Sequence, residues 1–449
     1  MFNVLLYIML ASTILCVCGA PFMALSGKGQ YKYLAYIIIN LYFSQFFMYY
    51  PGTDVSPYAY KINSLSSIKY FGVTLSAMTS IALIIFVVVN ILATKRRISK
   101  RMALMTVFAV IPCLVGLLMS GSVAGEIDSM MKLITPFLLC VYLSGKNADN
   151  ALPVIKKTIT AVNVIMICQV LVCKLLTGSF AAYNYYYEMP EEYFGFYNHP
   201  HSFTGLLALL SVYNIYLVNR NEQKKLNLCM FVINVLLMWI SGVRTYVVAL
   251  AAALALIGLC VLKDSNMKHL RKYVYAAILV LCVFGGAVID KFGSNRIVGD
   301  ISSGRFTRWT TDIGYFLKDY SAAEIFFGRG IDSICSVNKF IFGVYINSLN
   351  MFIDLLLDFG ILGMIFIFAA YCLMFRQMWS KNTAGFSLGI IGFFAATAMI
   401  NSLVSYVTIT TMMIIILFVF KTEGEKINEN IGVEPSAVSR SAGKQRMVG

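Results

Sequence analysis

The sequence predicts an all-α, polytopic integral membrane protein with about 12 to 13 transmembrane helices and one large extracytoplasmic loop. Hydrophobic residues make up 59% of the chain and charged residues only 13%, with a mean hydropathy of +0.76, whereas a soluble chain carries about 25% charge. Many apolar runs reach about 18 residues without a charge, the length that crosses the hydrocarbon core as a helix. The runs are continuous rather than alternating, which excludes a transmembrane β-barrel.

Thirteen apolar runs are candidate membrane spans. They are 3–24, 33–50, 71–94, 103–121, 129–144, 158–176, 202–218, 226–242, 246–262, 273–289, 350–375, 383–402 and 405–420. The first run has neither the basic start nor the small-residue cleavage site of a secretory signal, so we interpret it as the first membrane helix.

Loop charge predicts the topology, because short loops rich in Lys and Arg face the cytoplasm. The most basic loop is Lys95–Arg101, and the others are Arg220–Lys225, Lys263–Lys272 and Arg376–Lys381. With the first of these inside, the predicted spans place all four inside. One missed helix would have moved some of them to the other side, so this agreement is an internal check.

The same topology divides the chain into a transmembrane domain at 1–420 and a cytoplasmic tail at 421–449. The tail is polar and lacks aromatic residues, so we predict that it is disordered. The opposite side of the membrane receives a long loop at 290–349 and an aromatic segment at 177–201.

The net charge of +15 and the eleven cysteines both have simple explanations. The basic residues concentrate in cytoplasmic loops, so no nucleic-acid partner is predicted. Ten cysteines lie in apolar runs, where cysteine acts as a small packing residue. No cysteine spacing resembles a zinc or iron–sulfur site, and neither a metal nor a cofactor is predicted.

The outer aromatic segment has two interpretations. Tyr186, Tyr193 and Tyr197 belong to a dense run of Tyr and Phe between residues 180 and 203. Such residues form interfacial belts in many membrane proteins. They also form platforms for the apolar face of a sugar ring, where the phenol hydroxyl adds a hydrogen bond.

Four arginines on the predicted outer side run against the usual charge bias. Arg244 lies between two apolar runs with almost no loop, and Arg305, Arg308 and Arg329 lie in the long loop beside glycines. They are functional candidates, because a charge at the membrane boundary needs a partner; the alternative for Arg244 is snorkelling into the headgroups. The planar guanidinium fork suits phosphate oxygens, so an anionic headgroup or a lipid diphosphate is the expected ligand.

Two histidines precede the span at 202–218. His199 and His201 are two residues apart, and no third metal ligand is visible near them. Three interpretations remain: a hydrogen-bonding or proton-transfer role, no role beyond that of ordinary loop residues, or, least favoured, metal binding.

Four segments, in order, resemble motifs of the O-antigen ligase and polymerase superfamily of bacterial surface polysaccharide assembly. The first is Phe194–Gly205, similar to a G-x-x-x-N-P-N segment before a helix, and the second is Ser241–Thr245, similar to an S-R segment between helices. The third joins Ser303-Gly304-Arg305 and Trp309 to Phe327-Gly328-Arg329-Gly330, like an S-G-R … W … G-x-G pattern. The fourth is Leu349–Gly363, similar to an H-N-x-x-L … E-x-G-x-x-G element. The resemblance covers about residues 190–375.

The resemblance implies a glycosyltransferase C type fold in the bacterial cytoplasmic (inner) membrane and metal-independent transfer of a glycan from an undecaprenyl-diphosphate carrier. The lipid bilayer and the carrier-linked oligosaccharide are then partners, and a flippase and chain-length regulators are candidate partners.

Arg244, Arg305 and His201 are the expected catalytic residues. The expected substrate-binding residues are Arg308, Arg329, Asn350, Tyr186, Tyr193, Tyr197 and His199. Candidates for a base acting on the acceptor hydroxyl are Asp312, Glu324, Asp332 and His201.

One departure separates the chain from the ligases. They have a histidine immediately before the asparagine of the fourth motif, where this sequence has Leu349. We therefore expect a polymerase of capsular, O-antigen or exopolysaccharide repeats, with a ligase-type transferase as one alternative. A flippase or other transporter is the alternative from another class, although charges inside the spans are few and no internal repeat is evident.

Overall fold

The computed structural model describes residues 2–26, 29–46, 69–70, 73–120, 123–145, 148–178, 180, 193–263, 305–343, 346–403 and 406–430. This part of the chain is mostly helical, and eight of its helices are long and apolar enough to cross a membrane. The predicted helical class is therefore confirmed, and the long apolar helices are compatible with a multi-pass membrane protein.

The described helices are bounded as follows: α1 Phe2–Ser26, α2 Gln30–Phe43, α3 Leu75–Ala93, α4 Lys100–Met119, α5 Val123–Leu143, α6 Ala148–Thr177, α7 Pro200–Asn219, α8 Lys224–Ile240, α9 Arg244–Lys263, α10 Arg305–Asp319, α11 Ala322–Phe327, α12 Ser333–Phe342, α13 Met351–Gln377, α14 Ala384–Ile400 and α15 Val407–Asn430. A 3₁₀ turn, Lys381–Thr383, precedes α14, and the short strands β1 (Lys69–Tyr70) and β2 (Val73–Thr74) pair antiparallel before α3.

Each predicted span within the described residues corresponds to a helix, whereas the predicted span 273–289 lies outside them. Some predicted bounds differ from the helices: α6 begins at Ala148 rather than at 158, α15 ends at Asn430 rather than at 420, and the second span, predicted at 33–50, ends early. Its helix ends at Phe43, where the Ser44 backbone N–H bonds to Asn40 O and the hydroxyl bonds to Leu41 O at 2.7 Å. Hydropathy continued past this point, but the helical hydrogen bonding did not.

Two helices form the centre of the bundle. In α7 and in α15, 94% of the most apolar stretch is buried inside the protein, compared with 28% for Tyr7–Ser26 in α1. A helix that is apolar on all sides is either surrounded by other helices or faces lipid. Elements at the ends of α7 and α15 are consequently held against many neighbours, which suits them to position a site.

The connecting loops separate into two groups at opposite ends of the bundle. At one end, the Arg96 guanidinium donates to Val141 O and Tyr142 O, both at 2.9 Å, and so satisfies carbonyls at the end of α5. At the other end, the Asn198 backbone N–H donates to Gln45 O at 2.8 Å, which joins the segment before α7 to the end of α2. The loops predicted to be cytoplasmic, where they are described, all belong to the first group.

Buried charge at the basic end corrects the predicted boundary of the tail. The helix α15 continues to Asn430, ten residues into the predicted disordered tail at 421–449, and residues 431–449 lie outside the described part. The reason is Glu423, whose carboxylate forms ion pairs with Lys156 at 2.6 Å and Arg220 at 3.7 Å and accepts from the Tyr216 hydroxyl. The polar composition predicted disorder, but this carboxylate binds residues 421–430 to α6 and α7.

Three short helices, α10 to α12, make up most of the described part of the predicted outer loop 290–349, and we call them the cap helices. They pack on the first half of α13 through a separate hydrophobic cluster consisting of Phe316, Tyr320, Ile334, Val337, Ile353 and Leu357. The Trp309 indole N–H donates to Ser348 O at 2.8 Å. The described part of this predicted loop is an ordered helical unit attached to a span.

A break in α13 provides the attachment point. Gly360 has φ 66° and ψ −174°, which interrupts the helix, and Gly328 of the cap has φ 77°. The two glycines face each other: a Cβ on Gly328 would lie 2.1 Å from Asp358 O, and one on Gly360 would lie 2.4 Å from Phe326 C. The freed carbonyls of Leu357 and Asp358 accept from the backbone N–H groups of Arg329 (3.3 Å) and Gly330 (3.0 Å). Only glycine permits both this backbone angle and this approach.

We predict that Gly360→Ala loosens the cap helices, because the added methyl meets backbone atoms and the positive φ is strained, together costing at least about 1–3 kcal/mol. Partial release of the cap exposes Cys335 on α12, so its alkylation rate, followed by mass spectrometry, should rise at least about tenfold. Gly314→Ala in α10 is the matched control, since its Cβ would meet nothing within 4 Å. Equal Cys335 rates in the two variants would contradict this role for Gly360.

We also predict that Glu423→Ala destabilises the bundle by about 3 kcal/mol, because Lys156 and Arg220 lose a buried counter-charge. Thermal unfolding in detergent measures the loss. Glu425→Ala is the control, since this side chain is 56% exposed and its ion pair with Lys421 is long at 3.8 Å; its effect should stay within about 0.5 kcal/mol. If the disordered tail began at residue 421, the two variants would have the same melting temperature.

Candidate functional site

The two histidines lie at the first turn of the central helix α7. His199 is the N-cap residue, and its Nδ1 accepts the His201 backbone N–H at 3.2 Å. Burial lowers the pKa of His199 to about 4, so the ring is neutral at pH 7. The two rings are 5.2 Å apart, and the His199 ring is 5.8 Å from the Tyr406 ring, which lies just before α15.

Asn401 links His201 to α9. Its amide oxygen accepts the Ser402 backbone N–H at 2.9 Å, which fixes the orientation of the amide. Its amide nitrogen then lies 3.1 Å from His201 Nδ1 and donates to the Tyr246 hydroxyl at 3.2 Å. Because an amide nitrogen only donates, His201 Nδ1 accepts, and a neutral His201 ring has its proton on Nε2. His201 is thereby prepared to donate a hydrogen bond from Nε2 rather than to accept a proton there.

Arg305 completes this group. It is the first residue of α10 and lies close enough to His201 and Tyr246 to interact electrostatically with both. The structure therefore brings together residues 199–201, 246, 305 and 401, which are far apart in sequence. We call His199, His201, Tyr246, Arg305 and Asn401 the His–Arg cluster.

Arg244 lies at the same end of the bundle, as the first residue of α9 and two residues before Tyr246. A tight turn precedes it, with Gly242 at φ 75°. The turn is fixed to α7 by Ser241, whose hydroxyl is 2.8 Å from that of Thr204. Arg244 is thus held near the His–Arg cluster by a short, well-bonded connection.

Several helices begin at this cluster. α7 starts at Pro200, α9 at Arg244, α10 at Arg305 and α15 at Val407. Helix N-termini present backbone N–H groups and a partial positive charge, which favours anions. Together with two arginines and a histidine Nε2–H donor, they make this end of the bundle chemically suited to a phosphate or diphosphate.

The described part of the aromatic segment is bonded to and packed against neighbouring helices rather than fully exposed. Gln169 of α6 binds the Phe194–Phe196 turn, accepting from Phe196 N at 2.6 Å and donating to Phe194 O at 3.2 Å. Tyr197 has no exposed surface and packs on Phe46 and Phe203, so its ring has a packing role in this arrangement. Tyr193 is half-buried against Phe180. Tyr186 lies outside the described residues, and glycan contact by Tyr186 or Tyr193 stays a prediction.

Three predicted substrate ligands have protein partners. Arg329 pairs with Glu324 at 2.8 Å, donates to the Tyr315 hydroxyl at 3.1 Å and lies 4.0 Å from the Tyr320 ring centroid. Asn350 caps α13 through Phe352 N at 3.0 Å and donates to Met399 O at 3.1 Å. Arg308 donates to Asn347 O at a long 3.5 Å and lies 5.9 Å from the Phe342 ring centroid. Substrate contact stays a prediction for all three; Arg308 has the weakest protein contacts of the three.

The proposed bases differ in environment. The Arg329 guanidinium, with help from the Ser321 cap, lowers the pKa of Glu324 to about 2, which makes this carboxylate a weak base. Burial and the neighbouring Asp354 raise the pKa of Asp312 to about 7, but Asp312 has no exposed surface and lies beside Asn338 within the cap. Asp332 begins α12 and accepts from the Ser129 hydroxyl at 2.7 Å.

Tyr246, Asn401 and Tyr406 were not predicted from the sequence. A signal for Asn401 was present, since the polar pair Asn401–Ser402 interrupts two apolar runs with almost no loop. Among the described residues, no three His, Cys, Asp or Glu side chains are arranged to hold a metal ion.

No protein-family model matches this chain, and no curated protein matches it.

We predict that Asp312→Asn flattens the pH dependence of stability. An unfolded aspartate ionises near pH 4, so the folded protein keeps the proton between about pH 4 and pH 7 when the unfolded chain has lost it. This contribution to stability is full at low pH and is lost as the pH rises through 7. Relative to wild type, Asp312→Asn should therefore melt higher at pH 8.5 than at pH 5.5. An equal difference in melting temperature at the two pH values would rule out this titration.

Proposed function

We propose that this protein is a polysaccharide polymerase that transfers a glycan from an undecaprenyl-diphosphate carrier to a second carrier-linked repeat unit, at the membrane end where the His–Arg cluster lies. We assign that end to the outer face of a bacterial cytoplasmic membrane, because the basic loops collect at the other end. The proposal includes Arg244 and Arg305 as the groups that bind the diphosphate.

The single observation that supports the proposal most strongly is the position of Arg305. In sequence it is 104 residues after His201 (305 minus 201), yet it interacts electrostatically with His201 and Tyr246. The Arg305 guanidinium and the N-terminus of α10 are both positive, so together they favour an anionic ligand. A diphosphate satisfies an arginine fork through two oxygens.

The transfer reaction requires mainly that the charge on the diphosphate is neutralised and that the acceptor hydroxyl is oriented. As the bond from the anomeric carbon to the phosphate oxygen breaks, negative charge grows on the diphosphate. Arg244, Arg305, the His201 Nε2–H and the helix N-termini stabilise that charge, which accelerates the step because the stabilisation is greatest in the transition state. The acceptor hydroxyl must be held in line with the anomeric carbon.

The segment before α13 favours a polymerase over a ligase-type transferase. The histidine that ligases have before the asparagine is replaced by Leu349, whose backbone has φ 59°, an uncommon conformation for a branched residue. Asn350 beside it is used as a helix cap. Histidine-dependent ligase chemistry has no equivalent at this position.

We predict that Arg244→Ala and Arg305→Ala each lower the conversion of lipid-linked repeat units to polymer by about 30- to 1000-fold, the effect of losing about 2–4 kcal/mol of transition-state stabilisation. Arg→Lys at either position should also reduce the rate, because lysine keeps the charge but loses the bidentate contact. The assay uses purified variants in proteoliposomes and gel analysis of chain length.

Arg376→Ala at the basic end is the matched control and should polymerise at the wild-type rate. Full activity in both Arg244→Ala and Arg305→Ala would remove these residues from the mechanism. Movement of repeat units across the bilayer without any polymer would instead favour the flippase alternative.

A further inference from the structure

A cavity of about 270 Å³ lies beside the His–Arg cluster, between the cap helices and the bundle. Its wall includes four carboxylates, from Asp128 and Asp354 among others, and apolar side chains such as Phe359. This size is at the small end of ligand pockets, and it suits a single sugar ring better than a long chain. The lining combines carboxylates with an aromatic ring, the two kinds of group that contact the polar edge and the apolar face of a sugar.

Most of these carboxylates already have protein donors. Asp128 pairs with Lys132 at 2.5 Å and accepts the Thr74 hydroxyl and backbone N–H. Asp358 accepts from the backbone N–H groups of Asp332 and Ile334, at 3.2 and 3.0 Å, and so caps α12. Asp358 thus bonds the cap helices to α13, whereas Asp128 joins α5 to the start of α3.

Asp354 differs from them. Its Oδ1 accepts from the Ser348 backbone N–H at 2.9 Å and from the Ser348 hydroxyl. The Ser402 side chain is a further hydrogen-bonding partner of this carboxyl, and the whole residue is only 4% exposed. No ion pair with a lysine or arginine is present at Asp354 among the described residues, in contrast to Asp128. The residue lines the cavity, so a sugar hydroxyl placed there would lie beside its carboxyl group.

The cavity and the His–Arg cluster are adjacent through two consecutive residues. Asn401 reaches His201 and Tyr246, and the next residue, Ser402, lines the cavity. A diphosphate at the cluster and a sugar hydroxyl in the cavity would therefore lie on two sides of one short segment. Transfer requires this proximity of donor and acceptor.

We infer that the cavity is the acceptor-sugar subsite and that Asp354 is the catalytic base for the acceptor hydroxyl. The inference rests on the proposed function. Asp354 Oδ2 takes the hydroxyl proton as the oxygen forms its bond to the anomeric carbon. The bond from that carbon to the diphosphate oxygen breaks, and the electron pair leaves with the diphosphate. This assignment agrees with the His201 tautomer, whose Nε2 already has a proton.

The test compares Asp354→Asn with Asp319→Asn in proteoliposomes supplied with lipid-diphosphate-linked repeat units. Loss of a base lowers turnover by about 10²- to 10⁴-fold, so Asp354→Asn should lose at least about 100-fold. Its melting temperature should not fall, because asparagine keeps the Oδ1 contacts. Its affinity for undecaprenyl diphosphate should equal that of wild type. Asp319→Asn makes the same change at an exposed aspartate at the end of α10 and should retain its rate.

A second variant, Asp354→Glu, retains a carboxylate displaced by one methylene and should show an intermediate rate. If wild type forms polymer and Asp354→Asn stays within about threefold of it, or if Asp319→Asn loses as much activity as Asp354→Asn, the inference is wrong and the proposed function stands. If Asp354→Asn loses activity only in parallel with its melting temperature while Asp354→Glu is fully active, Asp354 has a structural role. If wild type neither binds undecaprenyl diphosphate nor forms polymer, the proposed function itself fails, and the inference fails with it.

Discussion

The break at Gly360 is the constraint on which the rest of the arrangement depends. An interrupted helix leaves backbone carbonyls unpaired, and these are costly away from water. Here the Gly328–Gly330 turn supplies the donors, the Tyr320 hydroxyl bonds to Leu357 O at 3.2 Å, and Asp358 caps α12 in return. The cap helices are thus bonded to a span through its backbone. This attachment closes the cavity around Asp354 and places the start of α10 beside His201.

As a further consequence of this attachment, two different chemical environments lie on the two sides of one short segment. Residues 399–402 lie between the His–Arg cluster, which contains Arg305 and lies beside helix N-termini, and the cavity, which is rich in carboxylates. A glycosyl transfer has the same polarity: the leaving diphosphate needs positive charge, and the acceptor hydroxyl needs a base. The proposed polymerase activity follows from this pairing of opposite environments, with Tyr246 and Asn401 fixing the geometry between them.

The sequence predicted the helical membrane fold because hydropathy and loop charge depend on composition over long runs, which needs no tertiary information. It failed for residues 421–430, where one buried carboxylate, Glu423, overrides a polar composition. It named Arg244, Arg305 and His201 but missed Asn401, because a single polar residue gains meaning only from the neighbours that folding brings to it. It gave Asp354 no role, since the cavity that this residue lines forms only when the cap helices pack on the bundle. The inward or outward orientation of the two ends stays a prediction.

The most direct measurement of the central claim is photo-crosslinking with an undecaprenyl diphosphate analogue that has a diazirine next to the diphosphate. Adducts in the purified protein are mapped by peptide mass spectrometry and must be competed away by unlabelled undecaprenyl diphosphate. The account predicts competed adducts at residues 199–201, 244–246, 305–309 and 399–406. Competed adducts confined to the opposite end, at residues 95–101, 220–225 and 376–383, would contradict it.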